Sequence, residues 1–222
     1  MSAAPAPVPA PAAAPAPEFD AGFAAQLETL FAWRRDVRRF RRDPLPPGAL
    51  DRLLALADLA PSVGNAQPWR FMPLPAAQRA ALADHVDQAG EAAARRYDAD
   101  RARACRALKL HGLREAPAAV AVFCDDAPRA GHGLGIATMP EMLRYSCVMA
   151  IHTIWLAARA GGVGLGWVSI LEPATVCPML GARDGWTLIA ILCLGYPEAA
   201  SDEPELQRLG WQAREGGHVV TA

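Results

Sequence analysis

The stretch EMLRYSCVMAIHTIWLAARAGGVG at 141–164 limits the fold more than any other part of the chain. Its apolar residues run almost all round a helical wheel, which predicts a central helix closed by Gly161 and Gly162. Such a helix must lie on apolar surface. The continuous run APAAVAVFCD at 116–125 reads as a buried strand, and LGWVSI at 165–170 and WTLIAILCLGYP at 186–197 read as two more. No apolar run reaches membrane-spanning length without a Gly, Pro or charge.

Further elements follow from spacing and punctuation. Phe23, Leu27, Leu30 and Phe31 recur at helical intervals over 20–33. Prolines 44, 46 and 47 precede a second helix over 48–59, which Pro61 ends. PSVGNAQPW at 61–69 is a turn-rich loop, WRFMPL a short strand, and 76–109 a long polar-faced helical region. Residues 126–140 read as a mobile loop, and the segment from Gln207 onward as a tail with aromatic and basic residues. Helices interleaved with few strands give an α+β class, a mixed sheet flanked by helices in one domain over 18–222. The Ala/Pro-rich residues 1–17 are expected to be a disordered tail outside it.

Hydrophobic residues make up 52% of the 222, enough for one sizeable core, and the net charge of -1 argues against a general nucleic-acid binder. The five cysteines are scattered, with no CxxC, and Cys124, Cys147 and Cys193 lie in apolar runs as small core residues. A reduced, cytosolic compartment fits them, and the N-terminus lacks the pattern of a secretory signal. His85, His111, His132, His152 and His218 form no pair at metal-ligand spacing, and His152 reads as a core residue. GGVGLGW follows a helix and precedes a strand, the reverse of a dinucleotide fingerprint. It is either a cap and turn or a backbone able to approach a flat ligand. Asp125 and Asp126 stand at a strand end, where acidic residues are ordinary.

Charge concentrates in WRRDVRRF at 33–40, where Arg34, Arg35, Arg38 and Arg39 surround Asp36. Like charges this close repel unless an anion joins them. At a helix end flanked by Trp33 and Phe40, the cluster is suited to phosphate. Ser62, Asn65 and Gln67 form a polar shelf for a ligand rich in carbonyls and hydroxyls, or simply a cap and turn.

RRDVRRF, LAPSVGNAQPWRF, GVGLGWVSI, LIAILCLGYP and GWQAR, in this order over residues 20–214, resemble the nitroreductase-like flavoprotein superfamily. Asp36 replaces the serine of that superfamily's usual R-R-S-x-R. With TMPE at 138–141 and GWVSILEP at 166–173, it points to the 5,6-dimethylbenzimidazole synthase branch. The resemblance implies a nitroreductase-like homodimer with FMN at the interface. Arg34, Arg35, Arg38 and Arg214 would hold the FMN phosphate and neighbouring polar groups, and Val37 would also be a cofactor-binding residue. Gly166, Trp167 and Val168 would lie along the flavin ring, with main-chain donors near it. Ser62, Asn65 and Gln67 would reach it from the other subunit. It also implies that reduced FMN is the substrate, supplied by a separate flavin reductase. Molecular oxygen would cleave it to 5,6-dimethylbenzimidazole, the lower ligand of cobalamin, and erythrose 4-phosphate. Asp36 would take a proton at the ribityl carbon and Ser169 would steer the oxygen chemistry. Residues 126–142 would form a lid that excludes water and nicotinamide. Alternatives on the same fold are an NAD(P)H-dependent nitro or flavin reductase and a non-catalytic FMN-binding protein.

Overall fold

The computed structural model describes residues 15–216. Residues 1–14 and 217–222, with most of the Ala/Pro-rich segment and His218, lie outside the described part. Helix α1 spans Ala21–Trp33 and begins where Asp20 Oδ1 accepts the Phe23 amide at 2.7 Å. Helix α2, Ala49–Ala55, continues as a 3-10 turn over Leu56–Leu59, so the helical stretch expected at 48–59 is present but tightens in its last turn.

Strand β1, Trp69–Pro73, leads into α3, Ala76–Ala94, and α4, Ala99–Ala107. The long helical region anticipated at 76–109 is therefore two helices. Asp98 breaks it by turning its carboxylate onto the Arg101 amide at 2.8 Å, which caps α4. Then come β2 at Ala118–Asp125, α5 at Met142–Ala160, β3 at Gly164–Val168, α6 at Pro173–Leu180, β4 at Trp186–Gly195 and α7 at Glu205–Arg208. The sequence reading missed α6, whose eight residues hold two prolines, one at its N-terminal end and Pro178 inside. Pattern alone gives so short a segment no helical signal.

The sheet order is β1-β2-β4-β3, and all three ladders are antiparallel. Among the described residues the expected mixed character survives only in one parallel bridge, Asp36 to Leu165. The apolar runs are continuous because both faces of the central strands are buried. Val120, Val122, Ala190, Leu192 and Leu194 pack under α5, whereas Ala119, Ala121, Phe123, Ile191 and Cys193 pack against Leu82, Val86 and Val176 of α3 and α6.

Helix α5 buries Leu143, Cys147, Ala150, Ile151, Ile154 and Ala158. Its far side exposes Tyr145, Val148, Met149 and His152, so His152 is a surface residue rather than a core one. Among the described residues the apolar helix is thus covered on one side only, since no described element buries the other. Helix α1, although apolar, has no buried residue at all. Among the described residues all five cysteines are free thiols, and Cys124, Cys147 and Cys193 are buried as anticipated.

Glycine is required where residues 34–40 cross β3. A Cβ on Gly166 would overlap the Val37 carbonyl oxygen, and one on Gly164 would sit 2.9 Å from Val37 Cγ2. Gly166→Ala should therefore cost about 1–3 kcal/mol by overpacking. In a domain of this size that lowers the melting temperature by roughly 2–4 °C per kcal/mol. Thermal unfolding followed by circular dichroism checks this, and an unchanged midpoint would mean the crossing is loose.

Candidate active site

Residues 34–40 leave α1 in extended conformation and are pinned at several points. The Val37 amide donates to Leu165 O at 3.1 Å, and the Trp155 indole N–H donates to Arg35 O at 3.2 Å. At the far end Phe40, 1% exposed, abuts Gly112 and Gly195. Extended backbone sends alternate side chains to opposite sides, so Asp36 and Arg38 share a face while Val37 packs toward Gly164. Asp36 Oδ1 accepts the Trp167 amide at 2.7 Å, and Oδ2 accepts Arg38 Nε at 2.9 Å.

Arg34, Arg35, Asp36 and Arg38 line a cleft of about 220 Å³, and Glu205 and Arg214 complete its wall from the far end of the chain. Four guanidiniums face two carboxylates there. Burial pulls the pKa values of Arg34 and Arg35 down. Arg214 adds a like-charge push on both, opposed at Arg34 by Asp36. Among the described residues Arg35 Nε is buried without a hydrogen-bond partner. A spare donor among crowded cations favours a multiply charged oxyanion, which can accept from several guanidinium groups at once. Asp36 is shifted up, chiefly by burial, against the pull of Arg38 and the Trp167 amide. A second cleft of about 310 Å³ shares Arg35, Asp36, Arg38 and Glu205 and adds Val37. Glu205 lies on the wall of both clefts and pairs with Arg39 at 3.4 Å.

The other residues singled out from the sequence are placed as follows. Gly166, Trp167 and Val168 lie in β3, and the Trp167 amide is already engaged by Asp36. Ser169 is exposed just beyond the strand. Ser62, Asn65 and Gln67 line neither cleft. Their loop is rigidly tied: the Gln67 amide donates to Ser62 Oγ at 3.1 Å, and Gln67 Nε2 donates to Asn65 Oδ1 at 3.0 Å. Gly64 packs directly on Gly131 O and Leu134 O of the 126–140 segment, which is a succession of turns. Asp125 pairs with Arg70 at 2.8 Å, and Asp126 accepts the Thr187 hydroxyl at 2.6 Å, so both acids have structural partners.

Sequence reasoning missed Glu205 and Trp155. The Trp155 indole stacks on Trp167 with centroids 6.4 Å apart, and Arg34 lies 4.7 Å over the Trp155 ring. Both residues reach the site from over a hundred positions away, and no local motif announces them.

Comparison with known proteins places these features in context. Residues 31–196 match the model of the nitroreductase family. A 5,6-dimethylbenzimidazole synthase of Rhodospirillum rubrum is 54% identical over 203 residues, covering 91% of this chain and 96% of the relative. Another of that name, from Rhodobacter capsulatus, is 49% identical over 187 residues, covering 84% and 90%. The crystal structure of oxidized iodotyrosine deiodinase bound to FMN and 3-iodo-L-tyrosine superposes with a TM-score of 0.68. It is 21% identical and covers 88% of this chain and 97% of that one, which is a likeness of fold.

The electrostatics of Asp36 make a signed prediction. Its raised value means the folded chain binds this proton more tightly than the unfolded chain. The contribution of Asp36 to stability should therefore decline as pH rises from about 3.9 through its shifted value, then level off. Asp36→Asn removes that slope. Urea midpoints of both proteins between roughly pH 4 and 7 check it, and a wild-type advantage that grows with pH in this window contradicts it.

Proposed function

The chain belongs to the nitroreductase family, and from that premise we propose that it is a 5,6-dimethylbenzimidazole synthase whose substrate is reduced FMN. The carrying observation is a carboxylate, Asp36, set inside a cradle of arginines in a chain 54% identical to a synthase of that name. The reading consumes molecular oxygen, cleaves the flavin to 5,6-dimethylbenzimidazole and erythrose 4-phosphate, and serves the lower ligand of cobalamin. A conventional NAD(P)H-dependent reductase is not favoured by these relatives.

The residues fit the substrate. The unpartnered Arg35 Nε and the crowding of Arg34, Arg35 and Arg214 match a phosphate dianion, with Arg38 divided between it and Asp36. On this reading the ring would lie along Gly166, Trp167 and Val168, which line neither cleft but whose strand meets Asp36 at the Trp167 amide. The raised proton affinity of Asp36 makes it a better proton acceptor than an ordinary aspartate. In this role it accepts a proton at the ribityl carbon, and Ser169 hydrogen-bonds at the reacting edge of the ring.

A second copy of the chain completes the site. Two features support this: the polar shelf of Ser62, Asn65 and Gln67 faces neither arginine cleft of its own chain, and Tyr145, Val148 and Met149 leave an apolar face of α5 uncovered. The 126–142 segment, packed on the shelf through Gly64, acts as the lid. A separate flavin reductase supplies the electrons.

The direct test mixes the protein with FMN, NADH and a separate flavin reductase in air, and follows flavin and products by chromatography and mass. Loss of FMN with stoichiometric 5,6-dimethylbenzimidazole, absent under argon, is expected. Ser169→Ala should slow product formation about 100–1,000-fold, the scale of losing one placed hydrogen bond in a reaction. Recovery of intact FMN from the wild-type mixture would sink the synthase reading.

A further inference from the structure

Arg214 differs from the other cations of the cleft in how it is held. Arg34, Arg35 and Arg38 are fixed by α1 and β3, but Arg214 arrives on the C-terminal arm after α7. A four-residue helix has little stability of its own. The arm turns at Gly210, whose φ is 71°, and the Trp211 amide returns to Leu206 O at 2.8 Å. The Arg214 amide then donates to Gln207 Oε1 at 3.1 Å. These bonds shape the arm but do not tie it to the domain. Meanwhile Arg34 and Arg35 repel Arg214, so without an anchor the guanidinium would swing into solvent.

The anchor stands outside the cleft. The Tyr97 ring meets the Trp211 ring edge-on, with centroids 5.6 Å apart and planes at 82°. The Arg101 guanidinium lies over the same indole at 4.4 Å. Tyr97 and Arg101 occupy the corner between α3 and α4. That corner is itself rigid: Asp98 caps α4, and Glu91 of α3 receives Nε and Nη2 of Arg106, each at 2.9 Å. Neither Tyr97, Arg101 nor Trp211 lines the arginine cleft.

We infer that Tyr97, Arg101 and Trp211 form a clamp that positions Arg214 over the anion end of the cleft, so that the α3–α4 corner sets the preference for phosphorylated over unphosphorylated flavin. The inference rests on the reading that this cleft takes the FMN phosphate. The three are positioning residues: they act on the ligand only through Arg214. An arriving phosphate would screen the repulsion that the clamp resists, so clamp and ligand reinforce each other.

The test is a binding titration, followed by flavin fluorescence, of FMN and of riboflavin into the full chain and its Trp211→Ala, Arg214→Gln and doubly substituted forms. Arg214→Gln should weaken FMN about 10–100-fold, as for a lost charge-assisted contact, and leave riboflavin within about twofold. Trp211→Ala should reproduce much of this loss, about 5–30-fold for FMN alone. The double variant should bind FMN no more weakly than Arg214→Gln, because both remove one contact. Trp211→Phe should restore most of the affinity. If Trp211→Ala does not fold, Arg101→Leu, an exposed change on the opposite side of the clamp, carries the same FMN-selective expectation. The clamp is overturned if Arg214→Gln weakens FMN selectively while the clamp variants do not, or if they weaken both flavins equally. If Arg214→Gln leaves the FMN-to-riboflavin preference as in wild type, the phosphate reading of the cleft itself fails, and the clamp with it.

Discussion

Asp36 joins the segment after α1 to the edge strand β3. One oxygen holds the Trp167 amide of the edge strand, and the other holds Arg38. Its backbone lies against Leu165 in the one parallel bridge. Without an acid at this position, the segment after α1 would bring its arginines together with no internal counter-charge. With it, the arginines divide: Arg38 turns inward to Asp36, Arg35 leans back on the Ala32 carbonyl, and both Arg34 and Arg35 still line the cleft. The carboxylate is held half-buried at the cost of a raised proton affinity, and that is the property a proton acceptor needs.

The surrounding fold serves this arrangement. A sheet buried on both faces gives β3 a fixed height, and glycines at 164 and 166 let residues 34–40 lie against it at a distance no side chain permits. Phe40 closes the far end in a pocket roofed by two more glycines, Gly112 and Gly195. The indoles of Trp155 and Trp167 form a stacked wall carrying Arg34. The site is therefore rigid from below and along β3, and walled on its remaining side by α7 and the C-terminal arm.

Much of this was legible in the sequence, for identifiable reasons. The strands at 118–125 and 186–195 showed as continuous apolar runs because both faces are buried, and α1 showed through its spacing. The arginine cluster was legible because charge density is a local property. The split between α3 and α4 was not, since Asp98 as a cap looks like any acid on a polar helix. Short α6 was hidden by its prolines. His152 was misplaced because an apolar helix reads as buried whether its far side is covered or not. Glu205, Trp155 and the Tyr97–Arg101–Trp211 cluster depend on long-range packing, to which periodicity is blind.

The central claim is that Asp36 is a reacting group, separable from the cradle that binds the substrate. The most direct measurement compares FMN affinity and the yield of 5,6-dimethylbenzimidazole in Asp36→Asn. Asparagine keeps an oxygen for the Trp167 amide but cannot accept a proton at neutral pH. The account predicts FMN affinity within about threefold of wild type, beside a loss of product formation of at least about 100-fold, the scale of removing a general base. A variant that binds FMN normally and still forms product at the wild-type rate would contradict it.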